Sequence, residues 1–352
     1  IHVDLMTWVP KLFKRYYADS YIKIVEKHPT LWGYLYKTTD EQKPDSRAYK
    51  LREAFERLNT RKFESKLAAL KPDAVLTTHF LPAQLLARMI ARKHLDRPVW
   101  VQVTDYDIHQ LWIHEHMTGY FAGNREVAFR MAARGIDPKI IHVTGIPIVP
   151  AFSAKLSREV CAREIGLDPK KTTGLIMAGG AGLGGMEALV ERLVRVPGDF
   201  QLIALAGRNE KMLKSLQQLA RQFPGKLFPH GFTTTIERLM VASDFAVTKP
   251  GGLSTSECLA MHLPMILTSP IPGQEERNAD FLLESGAALK ANDAAGLEFR
   301  VRELLADPAR LAHLRERARA IARPNAARDV LDIVFDPQPA TVSRKGIGVE
   351  SI

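Results

Sequence analysis

Two glycines stand between an apolar run and a helix in the stretch TKPGGLSTSECLAM, where the chain could bind an anion. Gly251 and Gly252 follow DFAVTK, which is typical of a buried strand, and Ser254 is predicted to open the helix. Glycine lets a backbone approach a ligand closely, and a helix N-terminus offers free N–H groups to negative charge. Glu257, about one turn further on, could accept hydrogen bonds from sugar hydroxyls. A tight turn with a capping serine and a surface glutamate explains the same residues without a ligand.

A second polar helix start, PIPGQEERNA, follows the next predicted strand. Gln274 and Asn278 are four residues apart, so both amides face one direction, and Glu275 and Glu276 lie between them in the first turn. Acidic residues are also favoured at any helix start, which is the simpler explanation. Because consecutive parallel strands end at the same edge of a sheet, the two helix starts together favour one shared ligand.

A glycine-rich turn, MAGGAGLGGME, follows the first strand of the second half. Gly180, Gly182 and Gly185 satisfy the G-x-G-x-x-G pattern of dinucleotide sites. The next strand ends with Arg208 where NAD binding requires an acidic residue, so a weak alternative is an NADP-dependent oxidoreductase. No Lys-Ser/Thr pair follows the glycines, which excludes a Walker A loop. Taken alone, the motif is better explained as a close-packed turn without a ligand.

In the first half, the segment VTDYDIHQLWIHEH concentrates carboxylates and imidazoles. Asp105 is predicted to end a strand at the cleft, which makes it a candidate general base, although a capping role explains it equally well. His109, His114 and His116 match no zinc spacing, so we expect no metal. His79, at the end of DAVLTTH, is expected to point into the same region.

An aromatic and basic segment, MTWVPKLFKRYY, lies near the start of the chain. Trp8 stands there with Lys11, Lys14 and Arg15, and the segment contains no acidic residue. This mixture suits a membrane surface with anionic lipids. It could also bind nucleic acid, but no RNA-binding signature accompanies it, so we expect no nucleic-acid partner. An amphipathic helix of the core is the plain alternative.

Composition limits the class of protein. The 352 residues suffice for two domains, and a hydrophobic content of 46% with 25% charged residues is typical of a globular chain. The net charge of +10 favours polyanionic partners or anionic membranes. Two distant cysteines suit a reducing compartment, and no apolar run reaches the length of a membrane span. The start, IHVDLM, resembles the end of a strand, so we expect further residues before Ile1.

Strand-like and helical runs alternate along the chain, which predicts parallel α/β layers. The predicted strands are DAVLTTH, PVWVQVTDY and KIIHVTG in the first half, then TGLIMAGG, FQLIALAG, KLFPHG, DFAVTK, PMILTS and GAALK. Helices are predicted at 49–70, 82–94, 125–134 and 297–334, and also starting near Gly185, Asn209, Thr234, Ser254 and Gln274. The linker 145–155 separates the halves, which predicts domains at 1–147 and 148–335 and a mobile tail at 336–352.

Together these stretches resemble the MurG-like, lipid-glycosylating glycosyltransferases. Within that family the chain is most similar to the branch of monogalactosyldiacylglycerol synthases and processive diacylglycerol glucosyltransferases. The matching landmarks run in family order over nearly the whole chain: HPTLWGYLY, PDAVLTTHF, VTDYDIHQLWI, VTGIPIVPAF, AGGAGLGGME, AGRNE, HGFTTTIERLM, TKPGGLSTSECLAM and PGQEERNADF.

The resemblance implies a GT-B fold, in which two Rossmann-like domains face each other across a cleft. It implies that Glu257 holds the ribose and that Phe232 and Thr233 line the uracil of a UDP-sugar. The other expected donor contacts are Gly251, Gly252 and Ser254 at the diphosphate, Gln274, Glu275 and Asn278 at the sugar, and Gly180 in the glycine-rich turn. The acceptor and membrane side is expected to include His79, His109, Trp112, Trp8, Lys11, Lys14 and Arg15.

The implied reaction is an inverting transfer of glucose or galactose from the UDP-sugar to diacylglycerol, without a metal or another cofactor. The family's glycine-rich loop with its histidine base is expected before Ile1, which leaves Asp105 as the candidate base within this sequence. We expect a peripheral protein at the cytoplasmic face of a membrane that contains anionic lipids. The alternatives are transfer of N-acetylglucosamine to another lipid-linked acceptor, and a non-catalytic sensor of UDP-sugars.

Overall fold

The first of two parallel sheets lies within residues 1–147. The computed structural model describes residues 1–15, 17, 24, 28–40, 61–177 and 185–335. The sheet has the order β1-β2-β3-β4, and all its neighbouring strands are parallel. Its strands are β1 (Val75–Thr77), β2 (Val99–Gln102), β3 (Gly119–Ala122) and β4 (Ile141–Val143).

Helices surround this sheet, and its core is built from aromatic and aliphatic side chains such as Tyr120 and Leu81, which are fully buried. In chain order, the helices of the described residues here are α1 (Lys11–Lys14), α2 (Pro29–Asp40), α3 (Arg61–Leu70), α4 (Phe80–Ala91) and α5 (Arg125–Ala133).

The second sheet lies within residues 148–335 and has the order β10-β9-β8-β5-β6-β7, again all parallel. Its central strands are buried along almost their whole length, as expected when helices cover both faces of a parallel sheet. The strands are β5 (Thr172–Ile176), β6 (Phe200–Gly207), β7 (Leu227–Gly231), β8 (Phe245–Thr248), β9 (Met265–Thr268) and β10 (Ala288–Ala291).

Nine helices connect or follow these strands in the described part of the second half. They are α6 (Arg158–Ile165), α7 (Met186–Val194), α8 (Glu210–Gln222), α9 (Ile236–Val241), α10 (Gly252–Ala260), α11 (Gln274–Glu284), α12 (Ala294–Ala306), α13 (Pro308–Ile321) and α14 (Ala326–Phe335).

The strand order of the second sheet determines where a ligand would bind. Counted from β5, the order is that of doubly wound nucleotide-binding sheets, in which the direction of winding reverses between the first and fourth strands. Here those strands are β5 and β8, which are paired directly. The crevice at their carboxyl ends is where such sheets bind ligands, and the turn before α10 follows β8.

The predicted fold class is confirmed, because both halves are parallel α/β layers. The sequence patterns missed β3, a buried strand of only four residues that begins with glycine and ends with alanine, two residues of low strand propensity. The helix predicted at 297–334 consists of three, since α12 ends before Pro308 and α13 ends before Pro324, and proline cannot donate the next helical hydrogen bond. Of the helix predicted at 49–70, the described part starts at Arg61, and the predicted tail at 336–352 lies outside the described residues.

The linker after β4 is fixed by the C-terminal helices. A Cβ built at Gly145 would lie 2.5 Å from the Cβ of Arg323, and the Ser153 hydroxyl donates to the carbonyl of Pro324 at 2.7 Å. The segment between α13 and α14 therefore packs against the connection between the two sheets. Among the helices that the structure describes, none is long and apolar enough to cross a membrane.

Candidate functional site

The turn after β8 brings the two domains into direct contact. Helix α10 starts at Gly252, and Gly251 is its N-cap without any side-chain cap. A Cβ built at Gly252 would overlap the carbonyl oxygen of Thr104, which belongs to the loop after β2. The close backbone approach that the glycine pair predicts is therefore present, and here its partner is the first domain. Ser254 is the third residue of the helix, so the alternative that it caps the helix is wrong.

Glu257 lies on α10 and is half-buried. Burial raises the pKa of its carboxyl to about 7, and in the described part of the chain no hydrogen bond or charge offsets that effect. Ligand hydroxyls would stabilise the ionised form of such a carboxyl, because each hydrogen bond that they donate lowers the free-energy cost of burying its charge. Glu257 is thus suited to bind a vicinal diol.

Glu275 joins the two helix starts that the sequence singles out. Its Oε2 accepts a hydrogen bond from the Ile271 N–H at 2.7 Å, and its Oε1 lies 3.7 Å from the position of a Cβ on Gly251. Burial raises the pKa of this carboxyl, while the Ile271 N–H and the charge of Lys249 lower it. Lys249 was not among the predicted site residues, although it precedes the glycine pair directly.

Asn278 links three segments of the chain and is 0% exposed. Its Oδ1 accepts from the Tyr106 N–H at 2.7 Å, and its Nδ2 donates to the carbonyl of Pro250 at 3.0 Å and to Oδ1 of Asp105 at 3.1 Å. The structure therefore brings Asp105 and Asn278 together, as the expected cleft requires. In this conformation, however, the Asn278 amide has no exposed surface for a sugar.

Tyr106 extends from the first domain into the core of the second. Its ring stacks on Phe281 with 4.5 Å between centroids and 9° between planes, and its hydroxyl lies 2.9 Å from that of Ser256. Burial raises the pKa of the Tyr106 phenol to about 12, so it stays protonated. This side chain anchors the loop that carries Asp105 against α10 and α11.

Helix α2 covers the start of α11. A Cβ built at Gly273 would lie 2.6 Å from the ring of Tyr36, and one at Gly33 would lie 2.9 Å from Pro272. The indole N–H of Trp32 donates to Oε1 of Gln274 at 3.4 Å. The sequence patterns did not predict this contact, and their only signal was the family landmark HPTLWGYLY, which covers the first two turns of the helix.

An ion-pair cluster also connects the domains. The Arg277 guanidinium, on α11, donates to the buried carboxylate of Asp107 and lies 3.7 Å from the carboxylate of Asp40. Arg134 binds Asp40 at 3.0 Å, and Arg130 lies 3.5 Å from Asp107. Asp40 ends α2, so the cluster holds that helix, the loop after β2 and α11 together.

Phe232 lies at the carboxyl end of β7 and is 58% exposed. The guanidinium of Arg208, from the end of β6, lies 4.5 Å from the centroid of that ring. Thr233 follows, with its hydroxyl 3.1 Å from that of Thr235. An exposed ring at this edge can stack on a base, as the uracil prediction requires. Gly180 lies outside the described residues.

The expected acceptor residues of the first domain are mostly structural here. Nδ1 of His79 accepts from the Leu81 N–H and caps α4, while the residue stays exposed at the surface. Nδ1 of His109 caps the short turn after β2 through the Leu111 N–H, and its Nε2 lies 3.0 Å from the Tyr36 carbonyl oxygen. Trp112 is 5% exposed and packs edge-on against a core phenylalanine, so the prediction that it faces lipid is wrong in this conformation.

The predicted membrane segment divides into an inner and an outer face. Trp8 packs on Phe63 with 5.9 Å between ring centroids, and Phe13 is buried. Leu12 is 84% exposed, and beside it the cationic side chains of the segment all reach the surface: Lys11, Lys14 and Arg15. The described aromatic groups, Trp8, Phe13 and Tyr17, thus pack with the core, and the described exposed groups form a basic surface with one apolar residue.

The histidines of the first domain do not converge on one point. Within the described ranges, no group of three or more His, Cys, Asp or Glu side chains is arranged to hold a metal ion. His114 and His116 therefore give no zinc site together with His109.

Comparisons with known proteins agree with this architecture. The sequence profile of the monogalactosyldiacylglycerol (MGDG) synthase family matches residues 1–148. A processive diacylglycerol beta-glucosyltransferase of Bacillus cereus (strain AH187) is 32% identical over 270 residues, which are 76% of this chain and 69% of that protein.

Solved structures show the same fold. MurG of Acinetobacter baumannii has a TM-score of 0.55 at 18% identity, over 80% of this chain and 78% of its own. Anabaena Alr3699/HepE in complex with UDP-glucose has a TM-score of 0.53 at 14% identity, over 80% of this chain and 84% of its own. At these identities the likeness concerns the fold, which is GT-B as predicted.

Proposed function

Because this chain belongs to the family of monogalactosyldiacylglycerol synthases and processive diacylglycerol glucosyltransferases, we propose that it moves a hexose from a UDP-sugar to diacylglycerol at a membrane surface. The observation that carries the proposal is the Glu257 carboxyl. It lies on the helix that starts at the ligand-binding edge of the second sheet, and burial raises its pKa to about 7. A ribose diol would supply the hydrogen bonds that this carboxyl lacks.

The donor would lie along the carboxyl ends of the second sheet. Phe232 would stack on the uracil, beside Thr233. The diphosphate would meet the start of α10 at Gly251, Gly252 and Ser254, where N–H groups and the helix dipole favour negative charge. Lys249, whose charge lowers the pKa of Glu275, adds a cation there. The sugar would lie towards Gln274 and Glu275, under α2.

The proposed chemistry is a single displacement. The acceptor hydroxyl oxygen attacks the anomeric carbon, the bond from that carbon to the β-phosphate oxygen breaks, and UDP leaves with the electron pair. The hydroxyl proton passes to a base, for which Asp105 is the candidate in this sequence. Burial raises the pKa of Asp105, which moves it towards the range in which a carboxylate is an effective base near neutral pH.

The membrane side of the proposal rests on the first domain. Lys11, Lys14 and Arg15 are exposed beside the exposed Leu12, which suits the anionic headgroups and acyl boundary of a bilayer. We propose that the protein binds the cytoplasmic leaflet peripherally through this basic surface. Each cation near the surface contributes about 1 kcal/mol to such binding.

A transfer assay tests the activity. The protein is incubated with vesicles that contain diacylglycerol and anionic lipid, and with either UDP-glucose or UDP-galactose. We expect UDP release together with a glycolipid on thin-layer chromatography, and the productive donor identifies the hexose; the curated relatives favour glucose. Donor hydrolysis or binding without a glycolipid would contradict diacylglycerol as the acceptor.

The variant Glu257→Ala tests the donor site by calorimetry. It should weaken UDP binding by roughly 10- to 100-fold, since a hydrogen bond to a charged group contributes about 1.5–3 kcal/mol. Unchanged UDP affinity would contradict the assignment. NADP serves as a control ligand, and its tight binding to both proteins would favour the oxidoreductase alternative.

Vesicle flotation tests the basic surface. Replacing Lys11, Lys14 and Arg15 with glutamine should weaken binding to anionic vesicles at low salt and leave binding to neutral vesicles unchanged. The matched control replaces three exposed cations of α8 with glutamine: Lys211, Lys214 and Arg221. Equal losses in both triple variants would show a diffuse charge effect, which contradicts a dedicated membrane face.

A further inference from the structure

We propose that Tyr36 binds the acceptor through its phenol hydroxyl, which donates a hydrogen bond to an alcohol oxygen at the junction of the two domains. This inference deepens the proposed function and rests on it, because an acceptor alcohol is required only if a hexose is transferred. Tyr36 lies on α2 and was not predicted as a site residue from the sequence. Its side chain is half-buried, and in the described part of the chain its hydroxyl has no hydrogen-bond partner.

The ring of Tyr36 lies on the turn that opens α11. A Cβ built at Gly273 would lie 2.6 Å from two atoms of this ring and 3.1 Å from a third. Gly273 also has a φ of +93°, so both the turn and the ring contact require glycine at this position. Gln274, which follows directly, is the first residue of α11 and one of the proposed sugar contacts. The phenol is therefore placed beside the sugar end of the donor site.

Neighbours from both domains hold the ring in one orientation. The imidazole of His109 packs against it with 4.5 Å between centroids and 57° between planes. The guanidinium of Arg277, on α11, lies 5.9 Å from the ring centroid, which is within the range of a cation–π contact. The indole of Trp32, one turn earlier on α2, has its centroid 6.3 Å away. Because the ring is packed on several sides, its hydroxyl points in a defined direction.

The Tyr36 hydroxyl differs from those of two buried tyrosines. The Tyr106 hydroxyl lies 2.9 Å from that of Ser256. The Tyr120 hydroxyl accepts from the His114 N–H and donates to the His114 carbonyl, each at 2.9 Å. Buried phenols usually have such a partner, because an unbonded hydroxyl loses its hydrogen bonds to water without replacement. At Tyr36 the described chain supplies no partner, so a ligand oxygen can take that place.

The charges around the phenol identify the class of ligand. Burial is the largest cause that raises the pKa of Tyr36, and the charge of Arg277 acts against it. Three carboxylates raise this pKa further, in the order Asp105, Asp107 and Asp40. The phenol therefore stays protonated at neutral pH and acts as a hydrogen-bond donor. A phosphate in this position would be repelled by the carboxylates, so a neutral alcohol oxygen is the ligand that fits.

Of the alcohols of the two substrates, that of the acceptor fits the position of the phenol. Asp105, the candidate base, has the largest effect of the three carboxylates on Tyr36. A hydroxyl that Asp105 deprotonates must also approach the anomeric carbon, which the proposed donor position puts near the start of α11. The phenol meets both conditions, since its ring lies on that turn and its hydroxyl interacts with the charge of Asp105.

The chemistry of the acceptor oxygen allows this contact during transfer. An alcohol oxygen has two lone pairs and one proton. One lone pair can accept the hydrogen bond from Tyr36 while the other attacks the anomeric carbon, and the proton passes to Asp105. The phenol keeps its own proton throughout. Its contribution is to orient the attacking oxygen between the base and the donor.

The test compares Tyr36→Phe with the wild-type protein, and Tyr34→Phe is the matched control. Tyr34 lies on the same helix and is 67% exposed. Glycolipid formation is measured over a range of diacylglycerol contents in anionic vesicles, with the productive UDP-hexose at saturation. In Tyr36→Phe the kcat/KM for diacylglycerol should fall by roughly 3- to 10-fold, as expected for one lost hydrogen bond between neutral groups. Affinities for UDP and UDP-hexose and the melting temperature should not change, and the control should match the wild-type protein.

Each other result overturns the inference. Unchanged acceptor kinetics in Tyr36→Phe would show that the hydroxyl does not bind the acceptor. A selective loss of UDP-hexose affinity relative to UDP would place the phenol at the transferred sugar. A lower melting temperature with equal losses for both substrates would show a structural role. An equal loss of acceptor kcat/KM in Tyr34→Phe would assign the effect to α2 at the membrane surface and not to the hydrogen bond.

A second measurement does not depend on turnover. The protein is labelled with tyrosine that carries 13C at Cζ, and NMR spectra are recorded while dioctanoylglycerol is added in the presence of UDP. The variants Tyr36→Phe and Tyr34→Phe assign the two signals. A shift at Tyr36 without one at Tyr34 supports the inference, and equal shifts or none at Tyr36 contradict it. If no glycolipid forms with either donor while the Tyr36 signal responds, the proposed transfer fails and the acceptor contact remains.

Discussion

Two candidate carboxylates follow strands of different sheets, and their surroundings differ. Glu257, beyond β8, is half-buried, and in the described residues nothing offsets the raised pKa that burial causes. Asp105, beyond β2, is bonded by Asn278 from the opposite domain. The first site lacks hydrogen-bond donors that a ligand could supply. The second already has its donor, and that donor comes from the protein.

Because of this difference, we expect donor binding and domain closure to depend on different parts of the molecule. A site that lies within one domain, like that of Glu257, depends on the second sheet and its helices alone. The Asp105 site exists only while Tyr106 and Asn278 keep the domains together. Variants that open the junction should therefore reduce transfer more than donor binding, and variants at Glu257 should reduce both.

The largest expected effect follows from Gly252→Ala. The added methyl group would overlap the Thr104 carbonyl, a backbone atom that cannot move without shifting the loop. We expect transfer to fall about 100-fold or more, since displacement of a reactive group by about 1 Å can have that effect. The assay of glycolipid formation measures it, with circular dichroism to verify folding.

The comparison variant is Gly251→Ala, whose new methyl group would meet Glu275 at an ordinary 3.7 Å. Its backbone, at φ −70°, suits alanine. A smaller loss than that of Gly252→Ala is expected. Equal losses in both variants would contradict the contact with Thr104 as the cause.

The next effect is the pH dependence of donor binding. The ionised form of Glu257 accepts hydroxyl donors, and its pKa in the empty site is about 7. Binding of UDP-glucose should therefore tighten by about 10-fold from pH 6 to pH 8, as the ionised fraction rises, with proton release on binding below pH 7. UDP-glucose suits calorimetry because its diphosphate has no titrating proton in this range. A steep pH dependence that persists in Glu257→Gln would assign the effect to another group.

The smallest effect concerns the ion pair across the junction. Arg277→Gln leaves the buried Asp107 with Arg130 as its remaining cation, and about 1–3 kcal/mol of stability should be lost. Thermal unfolding measures the change. The control Arg328→Gln removes an exposed pair within one helix and should cost about 0.5 kcal/mol or less. If both variants unfold at the same temperature, the cluster around Arg277 does not hold the domains.

Much of the second sheet could be predicted from local patterns. The run FQLIALAG coincides with β6, and the helix predicted to start near Gln274 starts there. Strands of this kind are buried on both faces of the sheet, so a continuous run of apolar residues identifies them directly. In the first half β3 was missed, because four buried residues of which two are glycine and alanine carry little strand signal.

By itself the sequence determined the α/β class, the family, and the positions at which glycines and polar helix starts follow strands. Those properties depend on neighbours along the chain. Only the tertiary structure decided what each group contacts: that Gly252 meets Thr104, that Trp112 is buried, and that Asn278 is bonded to Asp105. These contacts join residues from different domains or distant elements, and local periodicity carries no information about pairs separated so far along the chain.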